Sequence, residues 1–162
     1  DSISDEEAPF PRERSGGLPM FDVIKMCYED GNTYHSMMDL VKRKGGLVAH
    51  LGTTDSREVE KKIQEGDEHA KLVYDAMILN IAKNIAKCAP GVCGRVDAIL
   101  LTGGIAYSDY FTGYIRQRVE FLAPVVVYPG EDEMLSLALG GLRVLRGEEH
   151  AKVFHKNENP GY

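Results

Sequence analysis

The sequence predicts a helix-rich α/β fold whose parallel sheet is incomplete within this chain. Two apolar segments, 96–102 (VDAILLT) and 124–129 (PVVVYP), have strand length, and each is followed by a helical pattern. Strands that alternate with helices pair in parallel. Only two or three strands are visible, too few for a self-sufficient doubly wound sheet, although the 162 residues are enough for one domain with a real core.

The chain before the first strand is expected to be a loop followed by helices. Residues 1–19 contain three prolines and a Gly-Gly pair, which indicates an extended or looped segment. Apolar spacing predicts short helices over 20–29 and 33–44. Gly45-Gly46 ends the second helix, and 47–52 (LVAHLG) is expected to be a short extended stretch or a turn.

Helix boundary signals are clearest between residues 53 and 91. Asp55 and Glu58 form a capping-box pattern, and Gly66 suits the position just past a helix end. Asp67 is expected to cap a long helix that Pro90-Gly91 ends. Gaps of three and four residues place the apolar residues of this helix on one face, which should pack on a core or a sheet: Ala70, Val73, Met77, Ile81, Ile85 and Cys88.

The last third of the chain predicts two more helices, over 107–122 and 131–146. The second contains Gly140-Gly141 at its middle, where each glycine costs about 1 kcal/mol relative to alanine. Close approach of another helix, static or at a hinge, would offset that cost. We therefore divide the chain into a loop (1–19), a partial nucleotide-binding domain (20–149, a function inferred below) and a polar tail (150–162).

Composition excludes several classes of protein. The formal net charge of −6 and the pI near 5.4 argue against a nucleic-acid-binding surface. No apolar run reaches the roughly 18 to 20 residues of a membrane span, and the acidic start is unlike a signal peptide. The three cysteines match no common zinc spacing, so we expect reduced thiols and a cytoplasmic protein.

Four segments have the residue types of an anion or cation site, each with a structural alternative. Gly103-Gly104 after a strand lets a backbone approach an anion, and a plain tight turn explains it equally well. Arg12–Gly17 (RERSGG) suits an anion-binding loop, although the pattern alone favours a charged loop exposed to solvent. Arg57 in a first helical turn favours a nearby anion. The acids of 129–133 (PGEDE) suit a hard cation, but the helix dipole alone explains them.

Taken in order, four stretches of the chain resemble the butyrate kinases of the acetate kinase family, within the superfamily of acetate and sugar kinases, Hsp70 and actin. The resemblance implies the C-terminal actin-like ATPase domain, which is ribonuclease H-like. The Arg-Ser-Gly loop together with PGEDEM points most narrowly to the acyl kinases. The stretches are PFPRERSGGLP (9–19), 44–77, VDAILLTGGIAYSDYF (96–111) and 123–149.

The resemblance implies an enzyme that uses ATP and Mg²⁺ to phosphorylate butyrate or a similar short-chain carboxylate. Arg14 matches the arginine that contacts the transferring phosphoryl group, and Glu133 matches the glutamate associated with Mg²⁺. The glycine-rich last helix matches a connecting helix about which two domains pivot. The implied nucleotide-binding residues are Asp55, Ser56, Arg57, Gly103, Gly104, Ile105, Ala106 and Ser108.

The chain departs from the family pattern because it contains neither of the two phosphate loops that precede these motifs. His50-Leu51-Gly52 lies in the wrong context for the second loop. We therefore expect an N-terminal half to be missing, and this chain to be inactive alone because phosphoryl transfer needs charge stabilisation on both sides of the phosphate. The family also implies a homo-oligomer, with the helix over 67–89 as a candidate surface.

Two other functions fit parts of the same pattern. A branched-chain fatty-acid kinase differs from a butyrate kinase only in its acyl pocket. A non-catalytic actin-like or Hsp70-like nucleotide-binding module would share the TGG turn but would not need Arg14 for phosphoryl transfer.

Overall fold

Helices precede, separate and follow the two strands of this α/β chain. A computed structural model describes residues 9–130 and 133–151, without the side chain of Glu133. Short 3-10 turns follow the fifth helix (Ala89–Val92) and the first strand (Gly104–Tyr107). The elements are α1 (Met20–Cys27), α2 (Tyr34–Lys42), α3 (Gly46–Leu51), α4 (Ser56–Gln64), α5 (Glu68–Cys88), β1 (Ile99–Gly103), α6 (Asp109–Val119), β2 (Val125–Pro129) and α7 (Glu133–Leu145).

The two strands form a parallel sheet, as the alternation of strands and helices predicts. Ile99 lies beside Val125, and the register continues to Gly103 beside Pro129. Along β1, Ile99 and Leu101 are buried while Leu100 is 62% exposed. The sheet therefore has one covered face, and the carboxyl ends of both strands reach the same edge.

The core is centred on α5, which packs against α3, α4 and α6. The predicted apolar face of this helix is buried over its first half, at Ala70, Val73 and Met77, whereas Ile81 and Ile85 are only partly buried. Cys88 is exposed, so the prediction that it belongs to this face was wrong. It lines an open apolar groove of about 350 Å³ together with Ile85 and Ile99. The buried residues of α5 are Ala70, Val73, Tyr74, Met77, Ile78 and Ala82.

Local signals place the ends of α4 and α5 correctly. The Asp55 carboxylate accepts a hydrogen bond from the N–H of Arg57, and that of Asp67 accepts one from Ala70, each at 2.9 Å. The predicted capping box is wrong, because the Glu58 carboxylate accepts from the Thr53 hydroxyl instead.

The segment 47–52 is helical rather than extended. The amides of Leu47 and Val48 donate to the carbonyls of Pro11 and Arg12, at 3.2 and 3.0 Å. These bonds satisfy backbone N–H groups that have no hydrogen-bond partner within the first turn of a helix. A tertiary contact thus stabilises a helix too short to be predicted from periodicity.

The chain divides into two compact units, Asp1–Pro129 and Gly130–Tyr162. The division places the 9–19 loop in the first unit, with both strands, and the break comes right after β2. Within the second unit the described residues form α7 and the turn after it. That part contains no second helix, so the packing role of Gly140-Gly141 stays a prediction. None of the helices in the described ranges has the length and apolar character of a membrane span.

Candidate functional site

The loop that carries Arg14 is fixed to the corner between α2 and α3. The Ser15 N–H donates to the carbonyl of Val41, and the Gly45 N–H donates to the carbonyl of Glu13, both at 2.9 Å. Together with the two bonds that α3 donates to this loop, the backbone is held on both sides of Arg14. Arg14 itself is exposed. An exposed arginine on a fixed backbone suits the binding of an anion.

The Gly45-Gly46 pair makes this close contact possible. A Cβ on Gly45 would lie 2.6 Å from both the Arg14 carbonyl carbon and the Ser15 Cα, and the Ser15 nitrogen is closer still. Gly46 has φ +58°, and its Cβ would meet the Pro11 carbonyl group. Real Cβ contacts are essentially never under 3.0 Å. Sequence analysis assigned this pair to ending the second helix, but α2 already ends at Lys42, and the pair instead begins α3 and lies against the Arg14 loop.

The anion expected near Arg57 is the Asp55 carboxylate. The Arg57 guanidinium donates from Nε to Oδ1 at 3.0 Å and from Nη2 to Oδ2 at 2.7 Å. These bonds are the main cause that lowers the pKa of Asp55 to about 2. Arg12 lies close enough to lower that pKa further. The Arg-Ser-Gly loop and the 55–57 segment, 40 residues apart along the chain, are thus neighbours in the fold.

The TGG turn leads directly into the start of α6. Gly103 has φ +85°, a left-handed conformation that glycine adopts without strain. Ala106 is 4% exposed and therefore buried in this turn. Ser108 is the N-cap of α6, and its Oγ accepts from the Phe111 N–H at 2.9 Å. Gly104 is exposed and Ile105 and Ser108 are half-buried, which leaves this turn accessible from solvent.

A polar cluster that sequence analysis missed joins the two predicted nucleotide segments. Glu60 Oε1 accepts from the Ser108 hydroxyl at 2.6 Å and from the Tyr74 hydroxyl at 2.8 Å. Burial, then the hydrogen bond and charge of Glu60, raise the pKa of Tyr74, whereas hydrogen bonds from Ser56 and Ser108 oppose that shift. Ser108 and Tyr74 therefore share one oxygen of Glu60, and Ser56 lies close to the Tyr74 hydroxyl. No sequence signal indicates this cluster, because its members come from two separate helices, α4 and α5, and from the N-cap of α6.

The predicted metal residue lies at the edge of what the structure describes. Glu133 is the first residue of α7, and its side chain is not described. Among the residues of 9–130 and 133–151 with described side chains, no three His, Cys, Asp or Glu could together hold a metal ion. The assignment of Mg²⁺ to Glu133 stays a prediction.

The chain is similar in sequence to proteins named butyrate kinase. Butyrate kinase 1 of Clostridium acetobutylicum and a probable butyrate kinase of Bacteroides thetaiotaomicron are each 50% identical to the chain over 150 residues. That alignment covers 93% of the chain and 42% of each relative, so the chain spans about two fifths of their length.

The fold comparison points to the same group of enzymes. The crystal structure of Porphyromonas gingivalis acetate kinase superposes with a TM-score of 0.74 at 22% identity, over 86% of this chain and 41% of that one. Acetate kinase from Entamoeba histolytica gives 0.73 at 20% identity, over 86% and 43%. These structures confirm the predicted actin-like ATPase fold. The profile described as "Acetokinase family" matches residues 13–122, and the chain therefore belongs to the acetate kinase family.

Proposed function

We propose that the full-length protein is a butyrate kinase, which uses ATP and Mg²⁺ to convert butyrate or a similar short-chain carboxylate into its acyl phosphate. The observation that carries this proposal is the 45–50% identity, over 93% of the chain, to five relatives that are named butyrate kinase or probable butyrate kinase. The thiols of Cys27, Cys88 and Cys93 are free, which is compatible with a cytoplasmic location.

The proposed reaction is an in-line phosphoryl transfer. A carboxylate oxygen of the acid forms a bond to the γ-phosphorus of ATP. The bond from that phosphorus to the bridging β–γ oxygen breaks, and ADP leaves with the electron pair. Negative charge on the transferring group needs a positioned cation. We assign that role to Arg14, because its loop backbone is held by hydrogen bonds on both sides and Arg14 itself is exposed.

The nucleotide is proposed to lie against the 55–57 segment and the TGG turn. Asp55, Ser56 and Arg57 would line one side, and Gly103, Gly104, Ile105, Ser108 and the Ala106 backbone the other. The Glu60–Tyr74 cluster supports this placement, since Glu60, on the helix that Ser56 begins, accepts a hydrogen bond from Ser108. Mg²⁺ would screen the phosphate charges. We derive no step through a protein-bound Mg²⁺, because the described residues do not build a site for it.

We propose that the second side of the active site comes from the part of the protein that this chain does not span. With one side only, the γ-phosphate is exposed to water and the acid is not aligned with it. Good alignment contributes effective molarities of about 10⁵ M or more. We therefore expect the 162-residue chain alone to give no measurable turnover. We propose that the full-length enzyme is a homo-oligomer.

The test is acyl phosphate formation by the full-length protein, trapped with hydroxylamine, across acetate, butyrate and isobutyrate. Each methylene is worth roughly 10- to 200-fold in kcat/KM, so butyrate should exceed acetate clearly. Arg14→Ala should lower kcat by about 10²- to 10³-fold, as removing one transition-state donor does. Arg118→Ala is the matched control, because Arg118 is an exposed arginine in the last turn of α6, where it donates to the Tyr114 hydroxyl. Full kcat in Arg14→Ala, or no acyl phosphate with any acid, would overturn the proposal.

A further inference from the structure

We propose that two copies of this chain associate through the outer face of α1, in a two-fold contact centred on Ile24. The outer face consists of the exposed apolar side chains of Met20, Phe21, Ile24 and the C-cap residue Tyr28. The inference rests on the proposed function and deepens it, because it names the surface of the proposed homo-oligomer. That surface differs from the helix over 67–89, which the resemblance made the candidate.

The composition of α1 predicts a helix that is covered on most sides. Six of its eight residues are apolar, and Asp22 and Lys25 are the polar ones. A helix that is apolar around most of its circumference is normally buried. In the described part of the chain, however, no residue of α1 is buried, and only Val23 and Met26 are half-buried. The chain itself therefore covers one side of α1 and leaves another apolar side open.

The open side of α1 presents large apolar side chains at helical spacing. Phe21, Ile24 and Tyr28 follow one another at intervals of three and four residues, which places them on one face. Phe21 and Tyr28 are each 86% exposed, and Met20 is 72% exposed. Single exposed apolar residues are ordinary on a protein surface, but a contiguous face of this kind marks an interaction site.

The area of this outer face matches one half of a small, specific interface. A large apolar side chain has roughly 200 Å² of surface, so the exposed fractions of the four residues amount to about 600 Å². Burying the face on two copies removes about 1,200 Å² from water, which is the lower end of the range for specific protein–protein interfaces. A second copy of α1 is therefore enough to cover it.

The order of residues along the outer face is self-complementary, as a two-fold contact requires. Along the helix axis Phe21 lies about 4.5 Å before Ile24, and Tyr28 lies about 6 Å after it. If two α1 helices pack antiparallel with Ile24 at the axis, Phe21 of each copy meets Tyr28 of the other. Aromatic pairs contribute more than their buried area alone. Asp22 and Lys25 border the face on one side and supply the polar rim that such interfaces have.

Sedimentation velocity of the 162-residue chain tests the inference. The wild-type chain should sediment as a dimer, with twice the 17.9 kDa of one chain. Phe21→Asp should raise the dimer Kd about 1,000-fold, since the two-fold axis repeats the change and each lost aromatic anchor costs about 30-fold. A wild-type chain that stays a monomer, or an unchanged Kd in Phe21→Asp, would overturn the inference.

Two more variants separate the interface from a general loss of structure. Tyr28→Lys should dissociate the dimer as Phe21→Asp does. Helix dipoles favour an acid in the first turn and a base at the C-terminus, so neither change weakens α1 itself. Phe121→Asp is the matched control, because Phe121 is 76% exposed and follows α6. It should leave the dimer intact. A dimer that survives Tyr28→Lys, or one that dissociates in Phe121→Asp, would contradict the assignment to α1.

The full-length protein distinguishes a second copy from the other possible occupant, the part of the protein that this chain does not span. With a second copy on this face, Phe21→Asp dissociates the full-length oligomer as well. An oligomer that persists would mean that the rest of the polypeptide covers α1, and would overturn the inference. Acyl phosphate formation by the wild type is measured on the same samples. If it is present while the Phe21→Asp oligomer persists, the inference alone fails. If it is absent while the oligomer dissociates as expected, the kinase assignment alone fails.

Discussion

Replacing Gly45 by alanine should displace the loop that carries Arg14. The new Cβ would lie 2.6 Å from two backbone atoms of Arg14 and Ser15, where ordinary contact begins at 3.4 Å. Because those atoms are backbone, no rotamer change relieves the clash, and the loop must move by about 1 Å. Gly45 has φ −95°, which alanine adopts without strain, so the effect is steric. Overpacking of this kind costs about 1–3 kcal/mol.

Urea unfolding of the 162-residue chain measures the loss of stability, and hydrogen exchange of the Ser15 amide reports the local displacement. Gly91→Ala is the matched control, because nothing lies within 4 Å of its Cβ. In the full-length enzyme, a shift of about 1 Å at Arg14 should lower kcat on the order of 100-fold. The Kd for ATP should change far less than kcat, since the three atoms nearest the new Cβ all belong to the Arg14 loop. Wild-type stability together with wild-type kcat in Gly45→Ala would refute the role of this contact.

Three further perturbations test other parts of the fold. Burial, then the hydrogen bond and charge of Asp75, raise the pKa of Tyr110 from 10.0 to about 12. Since the folded pKa is the higher one, this stabilisation is present below pH 10 and is lost between pH 10 and 12. Tyr110→Phe should therefore flatten the fall in unfolding free energy over that range, and an unchanged slope would contradict this. Arg57→Ala should return the pKa of Asp55 from about 2 toward 3.8, measured by carboxyl-carbon NMR; a value that stays at about 2 would exclude Arg57 as the main cause. Ile115 is fully buried, so Ile115→Ala should cost about 2–5 kcal/mol in urea, and a loss under 1 kcal/mol would place Ile115 outside the core.

Local chemistry accounts for the features that could be predicted. The helix caps at Asp55 and Asp67 involve residues only two or three positions away, so they can be predicted from the sequence. The parallel pairing of β1 with β2 follows from the strand–helix–strand order. The TGG turn is likewise predictable, because a glycine pair after a buried strand is a short-range pattern.

Long-range contacts account for what was missed. Glu60 bonds to Ser108 across 48 residues and to Tyr74 across 14. In sequence, Glu60 is one of several charged residues on a short amphipathic helix and has no distinguishing neighbour. Sequence analysis expected an anion near Arg57 without naming it, and the structure places the Asp55 carboxylate there. Only coordinates show which charges already have partners within the chain.

The order of residues alone determined the helix-rich α/β class, the long central helix, and the resemblance to acyl kinases, because periodicity and short motifs depend on near neighbours. Tertiary structure decided how the Arg14 loop is held, why α3 is a helix, and that Glu60 accepts hydrogen bonds from both Ser108 and Tyr74. Each of these depends on two backbone or side-chain groups that meet only after the chain has folded. Short-range patterns therefore predict which residues could act, while their hydrogen-bonding partners decide what those residues can still bind.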